Sequence, residues 1–358
     1  MTSHELDDGL SPSAMKRAMF WTSNPERAGA LAAYLAKAGF PSFATEAASV
    51  LGVFVENLSH LAQVLGEFLP LEEQRRTKAL ILHRELPSLA DFIHMETVER
   101  FVRHHSTRWL AKMLNERRYK SLVQPIVRAE DGSVHGYEFL FRGLRVDGAI
   151  VPPLEMFDAV RGSRLASVLD DHARSSAIAT AVRLGIREQV FINILPTSVA
   201  QHDPRFERTL ELIEESGLSP AQVVFEIVES EKVEDMDGIA RVIEFCRSAG
   251  YRIALDDFGS GFNNLMTLIG LKPDYIKLDK GMIDRIEDEP AIWNLVANMI
   301  DAAKQSKVLV VAEGVETNKA ARLLRTLGAD FLQGYLFGRP SERPIENDQR
   351  PLVAAAGR

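Results

Sequence analysis

The chain has 358 residues, 46% hydrophobic and 26% charged, with a formal net charge of −8. That length suits one large domain with a smaller one, and the composition excludes a fibrous or disordered protein. The acidic balance argues against a nucleic-acid polymer as partner, although bound divalent cations can invert the sign of a local site and admit a phosphate-bearing ligand.

Residues 1–14 are acidic and polar and are expected to form a disordered lead. They lack the apolar core of a signal peptide, and no apolar run approaches the roughly 18–20 residues of a membrane span. A cytoplasmic protein without a membrane partner is expected. The single cysteine, Cys246, fits that expectation and reads as a small buried hydrophobe in the helical run Ile239–Ala249.

Residues 15–87 read as strand, helix, strand, helix, strand, a small α/β regulatory domain. Ala18–Thr22 is a short apolar run, Asn24 is a helix N-cap, and Pro25 takes the first helical position. Ala28, Leu31, Leu35 and Ala38 then recur at helical spacing. Val53–Phe68 reads as a second amphipathic stretch and Lys78–His83 as a strand. Residues 88–118 are predicted to be one linker helix, available for a dimer contact. His104 and His105 lie in it, adjacent and pointing apart, which suits a solvated face better than a metal site.

From Tyr119 the style changes. Leu122–Val127, His135–Arg142, Val190–Ile194, Val223–Val228, Arg252–Leu255, Tyr275–Leu278, Val308–Ala312 and Phe331–Phe337 are strand candidates. Amphipathic stretches such as Leu165–Leu184 and Asp237–Ala249 separate most of them. This pattern predicts an α/β protein whose residues 119–342 form a (β/α)8 barrel of the TIM type, followed by a flexible tail at 343–358. Only Ala129–Ser133 separates the first two strands, with Asp131-Gly132 as a turn, so that pair is predicted to be antiparallel.

Acidic and amide residues recur at the ends of these strands: Glu138, Asn193, Glu226 with Glu229, Asp256 with Asp257, Glu313 with Glu316, and Gln333. Lys277 lies among them. An Asp-Asp pair alone is commonly a helix cap with a solvated neighbour, and a lone lysine is commonly a surface residue. Strand ends of one barrel converge on one face, however, and oxygen donors gathered there make a hard-cation site suited to magnesium or manganese. A shared cation also relieves the repulsion between Asp256 and Asp257. Gly259 and Gly261 then mark a sharply bending loop, which is not of the Walker type because no Gly-Lys-Ser/Thr follows.

From Leu122 to Pro340 the blocks VQPI, GYEFLFRG, INILP, FEIVE, ALDDFGSGF, IKLDK, AEGVET and QGYLFGRP stand in one order. In these blocks the chain resembles the EAL-domain family of cyclic di-GMP phosphodiesterases. Where that family has Glu-Ala-Leu, this chain has Glu138-Phe139-Leu140, and the large aromatic beside the first ligand is expected to bear on substrate fit. The resemblance implies that Glu138, Asn193, Glu226 and Asp256 ligate one Mg2+ or Mn2+ ion. Asp256 would bridge to a second ion, held also by Asp257 and, through water, by Glu313. Lys277 would orient the attacking water, Gln333 would hold the same network, and Glu229 would steady the loop Phe258–Phe262. Gln124, Leu140 and Arg142 are implied substrate contacts, with the forked donors of Arg142 suited to a phosphate. In-line hydrolysis of cyclic di-GMP to linear pGpG, by a homodimer, is the implied activity. An effector that binds the nucleotide and signals through the N-terminal domain is the alternative. That domain resembles a truncated response-regulator receiver with His83 where the phosphoacceptor would stand; an unrelated α/β module fits its pattern equally well.

Overall fold

This computed structural model describes residues 16–43, 45–82, 84, 87–160, 163–196, 204–227, 236–259 and 271–345. Two compact units divide the chain, residues 1–116 with 158–161, and residues 117–157 with 162–358.

In the first unit, β1 (Lys16–Trp21) leads through the helix Pro25–Lys37 to β2 (Ser42–Phe43) and β3 (Val50–Val55). The helix Leu58–Phe68 then leads to β4 (Lys78–Leu82) and a short β5 (Glu96–Thr97). Asn24 starts the first helix by accepting the Arg27 N–H at 2.9 Å, with Pro25 at its first position. Asn57 caps the second in the same way. Because that cap lies at Asn57, the Val53–Phe68 stretch is not one helix. Its β-branched and aromatic opening, Val50–Val55, is a strand paired with β1 and β2.

The sheet order is β2-β3-β1-β4-β5 and every pairing is antiparallel. This is a split βαβ arrangement. A receiver is a doubly wound parallel sheet, so the expected likeness to a receiver fails here, and His83 lies outside the described residues.

Residues 88–118 also depart from expectation. They form a 3-10 turn (Leu89–His94), β5, and the helices Val98–Ser106 and Arg108–Asn115 rather than one linker helix. Asp91 closes the turn by accepting from the Ser88 N–H and hydroxyl, and Thr97 caps the helix after it. Val98 and Phe101 are fully buried in the core of the first unit. His105 is buried against the Phe101 ring rather than solvated; the side chain of His104 lies outside the described set.

The second unit is a closed ring of strands. Its members are β6 (Tyr119–Arg128), β7 (Val134–Leu144), β9 (Gln189–Ile194), β10 (Val223–Ile227), β11 (Arg252–Phe258), β12 (Tyr275–Leu278), β13 (Leu309–Ala312) and β14 (Phe331–Gln333). The short β8 (Ile150–Val151) adds to the margin of β7. Seven ring strands are mutually parallel; β6 runs antiparallel to both neighbours and closes the ring. The hairpin joining β6 to β7 turns at Gly132, with φ of 73°, and Asp131 accepts from Ser133 N–H. Helices 164–184, 204–216, 236–248, 290–305 and 318–327 cover the outside. Cys246 is buried there, and burial pushes its thiol up to about 12.

Side chains alternate across a strand, so each ring strand sends every second residue inward. Ile126, Phe191, Val224, Ala254, Tyr275, Val311 and Phe331 form an apolar floor. β7 contributes Gly136, where a Cβ would stand 2.7 Å from the Gln189 carbonyl and 2.9 Å from the Phe191 ring. Two residues along each strand lie Gln124, Glu138, Asn193, Glu226, Asp256, Lys277, Glu313 and Gln333. The period of two therefore stacks a polar ring directly on the floor.

Candidate active site

Lys277 is 1% exposed at the centre of that polar ring. Its Nζ lies 2.6 Å from Glu313, 2.9 Å from Glu226, 3.2 Å from Asp256 and 3.3 Å from Glu138. The Asn193 amide donates to one oxygen of Glu138 at 3.1 Å, and the Gln333 amide donates to the other at 2.6 Å. Gln333 also reaches the Gln124 amide oxygen at 3.3 Å, and Gln124 is tied to the Gly338 carbonyl at 3.2 Å.

Neighbouring strand residues normally face opposite ways, yet both Asp256 and Asp257 serve this face. The β11–β12 register breaks between Leu255 and Phe258, and Asp257 takes a left-handed backbone with φ of 52°. Such a bulge re-aims a side chain. It brings one oxygen each from Asp256, Asp257 and Glu313 within 4.8 Å of one another, a grouping able to hold a metal ion.

Five carboxylates thus face one ammonium. Burial alone would lower the Lys277 pKa, but Asp256, Glu138, Glu226 and Glu313 hold it well above its usual value. Burial tends to raise the Glu138 carboxyl; Lys277, Gln333 and Asn193 outweigh it and hold the group below its ordinary range. The remaining carboxylates go the other way. Burial and the neighbouring Glu138 push Glu226 well up; burial lifts Asp256 despite Lys277. Burial pushes Glu313 up to about 8, while burial and Asp256 push Asp257 up to about 6.

Glu226 is fully buried, and neither of its oxygens has a hydrogen-bond partner, although Lys277 stands at ion-pair distance from one. Buried carboxylate oxygens left in that state are costly. A donor set of carboxylates and amides with excess negative charge, and with Glu226 oxygens lacking hydrogen bonds, fits a hard divalent cation.

Strand parity places the residues of β7 expected at the site. Leu140 and Arg142 continue the inward row of β7 above Glu138, Leu140 half-buried on the wall and Arg142 half-buried toward the rim. Arg142 Nη1 donates to the Phe141 carbonyl at 2.8 Å. Phe139 takes the opposite parity and is 3% exposed within the outer core, away from the cavity. It packs behind the wall and does not stand in the cavity beside Glu138. Glu229 and residues 260–262 of the loop lie outside the described residues.

Two cavity residues were missed in the sequence. Lys280 and Tyr335 line the mouth with Glu316, and Lys280 Nζ pairs with Glu316 at 2.6 Å. Lys280 and Arg339 both approach the Tyr335 ring, at 5.4 and 4.2 Å from its centroid. The signal was available, since Tyr335 continues the step of two beyond Gln333.

The EAL domain family model matches residues 107–340. An uncharacterized signaling protein of Caulobacter vibrioides is 32% identical over 219 residues, covering 61% of this chain and 27% of its own length. The probable cyclic di-GMP phosphodiesterase PdeA of Escherichia coli is 30% identical over 294 residues, covering 81% of this chain and 39% of the relative. This chain thus spans roughly a quarter to two-fifths of those relatives. Among solved structures, a standalone EAL protein from Vibrio cholerae O395 in its c-di-GMP bound form superposes with a TM-score of 0.59 at 29% identity, covering 66% of this chain and 98% of that one. The EAL enzyme Bd1971, bound to cAMP and cyclic di-GMP, gives 0.61 at 26% identity, covering 67% of this chain and 66% of its own.

Proposed function

The chain belongs to the EAL domain family, and from that premise we propose that it hydrolyses one phosphodiester of cyclic di-GMP to give linear pGpG. The observation that carries the reading is the Lys277 ammonium set among Glu138, Glu226, Asp256 and Glu313 on the polar ring. The relatives and neighbours named for cyclic di-GMP support the choice of substrate.

Glu138, Asn193, Glu226 and Asp256 would hold one Mg2+ or Mn2+ ion, and Asp256, Asp257 and Glu313 a second. When bound, two such ions lower the pKa of water and offset charge on the attacking and leaving oxygens. Lys277 orients the attacking water through its Nζ, which its four carboxylates keep charged. Asn193 and Gln333 fix both oxygens of Glu138, so this ligand does not rotate. Leu140 lines the wall, Gln124 meets the nucleotide, and the Arg142 fork takes a phosphate. Glu229 steadies the loop after β11. The assembly belonging to this proposal is a homodimer regulated by its N-terminal unit, which light scattering and a core substitution in that unit would test.

The decisive assay incubates the purified protein and Mg2+ or Mn2+ with cyclic di-GMP and follows pGpG by chromatography. Turnover is expected, and Glu138→Ala should abolish it, because that side chain anchors both amides. Nucleotide binding by the wild type without turnover would replace the hydrolase by an effector.

A further inference from the structure

We infer that Asp170 and Arg174, a buried ion pair outside the polar ring, are positioning residues that hold Asn193 in place for cation binding; this rests on the metal-site reading above. The two stand one turn apart on the helix Arg164–Leu184, which precedes β9. Arg174 is 0% exposed and Asp170 2%.

The support is needed because β9 is released on one side just before Asn193. Its pairing with β7 ends at Ile192, opposite Phe139, while β7 runs on to pair with β8 at Gly143 and Leu144. On the other side β10 pairs through Asn193 and Ile194. Among the described residues neither ladder continues past Ile194, and Asp170 Oδ1 accepts from the Leu195 N–H at 3.1 Å. Its other oxygen is held by Arg174, whose Nε donates to Thr209 Oγ1 at 2.9 Å. Thr209 is itself fully buried on the following helix, Pro204–Ser216, and donates to the Arg205 carbonyl at 3.0 Å. One network therefore ties the helix before β9, the helix after it and the backbone two residues past Asn193.

Packing alone does not call for charges here, because apolar residues of similar volume serve a buried site at least as well. What the pair adds is direction. It fixes where β9 ends, and so where the Asn193 amide meets Glu138 Oε1. Residues that orient a metal ligand from behind commonly change metal affinity by about 10- to 100-fold when removed.

The test is a calorimetric titration of Mn2+ alone into the full chain, with no nucleotide, beside turnover measured across Mn2+ concentration. The double variant Asp170→Leu, Arg174→Leu removes both fully buried charges together and leaves Asp171, 3.8 Å from Arg174 and 28% exposed, to solvent. It is expected to fold, to bind Mn2+ about tenfold more weakly or worse, and to recover turnover at saturating Mn2+. Thr209→Val, a milder change, should shift Mn2+ affinity in the same direction and serves if the double variant does not fold. A folded variant with wild-type Mn2+ affinity overturns the inference alone. A wild-type chain that takes up no Mn2+ removes the cation-site reading, and the inference with it.

Discussion

Tyr275 and Lys277 share one strand and one face, a single pleat apart, and both are buried. Around Tyr275 the floor is complete. Its ring meets Phe191 and Phe331, and its hydroxyl lies 3.2 Å from both His135 and Arg252. Around Lys277 more carboxylates gather than the one ammonium can balance, and Glu226 has that ion pair but no hydrogen bond to either oxygen. The barrel thus packs one layer closed and leaves an excess of carboxylates in the next, the layer on which the proposed chemistry rests.

The sharpest way to break this contrast is Lys277→Met, which keeps the volume and removes the charge. Turnover should fall by about 10³-fold or more, measured as pGpG formation per folded molecule, because a positioned proton-handling group typically contributes 10²- to 10⁴-fold. Retention of turnover would remove Lys277 from the chemistry.

One layer down, Phe191→Ala should act on the opposite property. It opens a cavity in the floor and should destabilise the fold by about 3–5 kcal/mol in chemical denaturation. Turnover of the folded fraction should change far less than in the lysine variant. Equal damage to both properties would mean that the layers are not separable.

The pH dependence sharpens the comparison further. Glu313 and Asp257 have folded values of about 8 and about 6, above their ordinary 4.5 and 3.8. The native state therefore keeps protons that the unfolded chain has released. The contribution of these two groups is full below their ordinary values and is lost as pH rises between about 4 and about 8. In chelator, Tm should drop across that window by roughly 2–4 °C for each kcal/mol lost. Adding Mn2+ should flatten the slope. A flat profile in chelator would show the carboxylates balanced without a cation.

The smallest effect is expected at Gly334, beside Gln333. A Cβ there would lie 2.1 Å from the Val315 carbonyl oxygen and 2.3 Å from its nitrogen, so backbone must move. Gly334→Ala should destabilise by about 1–3 kcal/mol and lower kcat by displacing the Gln333 amide from Glu138. Unchanged kcat would show that Gln333 tolerates the shift.

The barrel and its ring were legible because strand, turn and strand-end residues are local patterns. Asp131-Gly132 announces a hairpin, and a carboxylate or amide closing an apolar run announces a convergent face. Strand direction in the first unit was not legible. Val50–Val55 reads the same beside a parallel or an antiparallel neighbour, so the likeness to a receiver survived until the register was seen. Helical spacing across residues 88–118 could not show that Asp91 and Thr97 break the run. The left-handed turn at Asp257 leaves no local mark either, since any pair of aspartates reads alike. The Asp170–Arg174 spacing was visible, but i,i+4 charge pairs are ordinarily solvated, and only tertiary packing buries this one.

Phe139 carries a wider consequence. In the triplet Glu138-Phe139-Leu140 the outer two letters share the inward face of β7, and the middle one packs into the core behind the wall. A signature of this kind is two texts interleaved on one strand, each free to drift under its own constraint. Sorting sequences by all three letters mixes a record of chemistry with a record of carpentry. Sorting by Glu138, Leu140 and Arg142, the letters that share a face, keeps the chemical record alone.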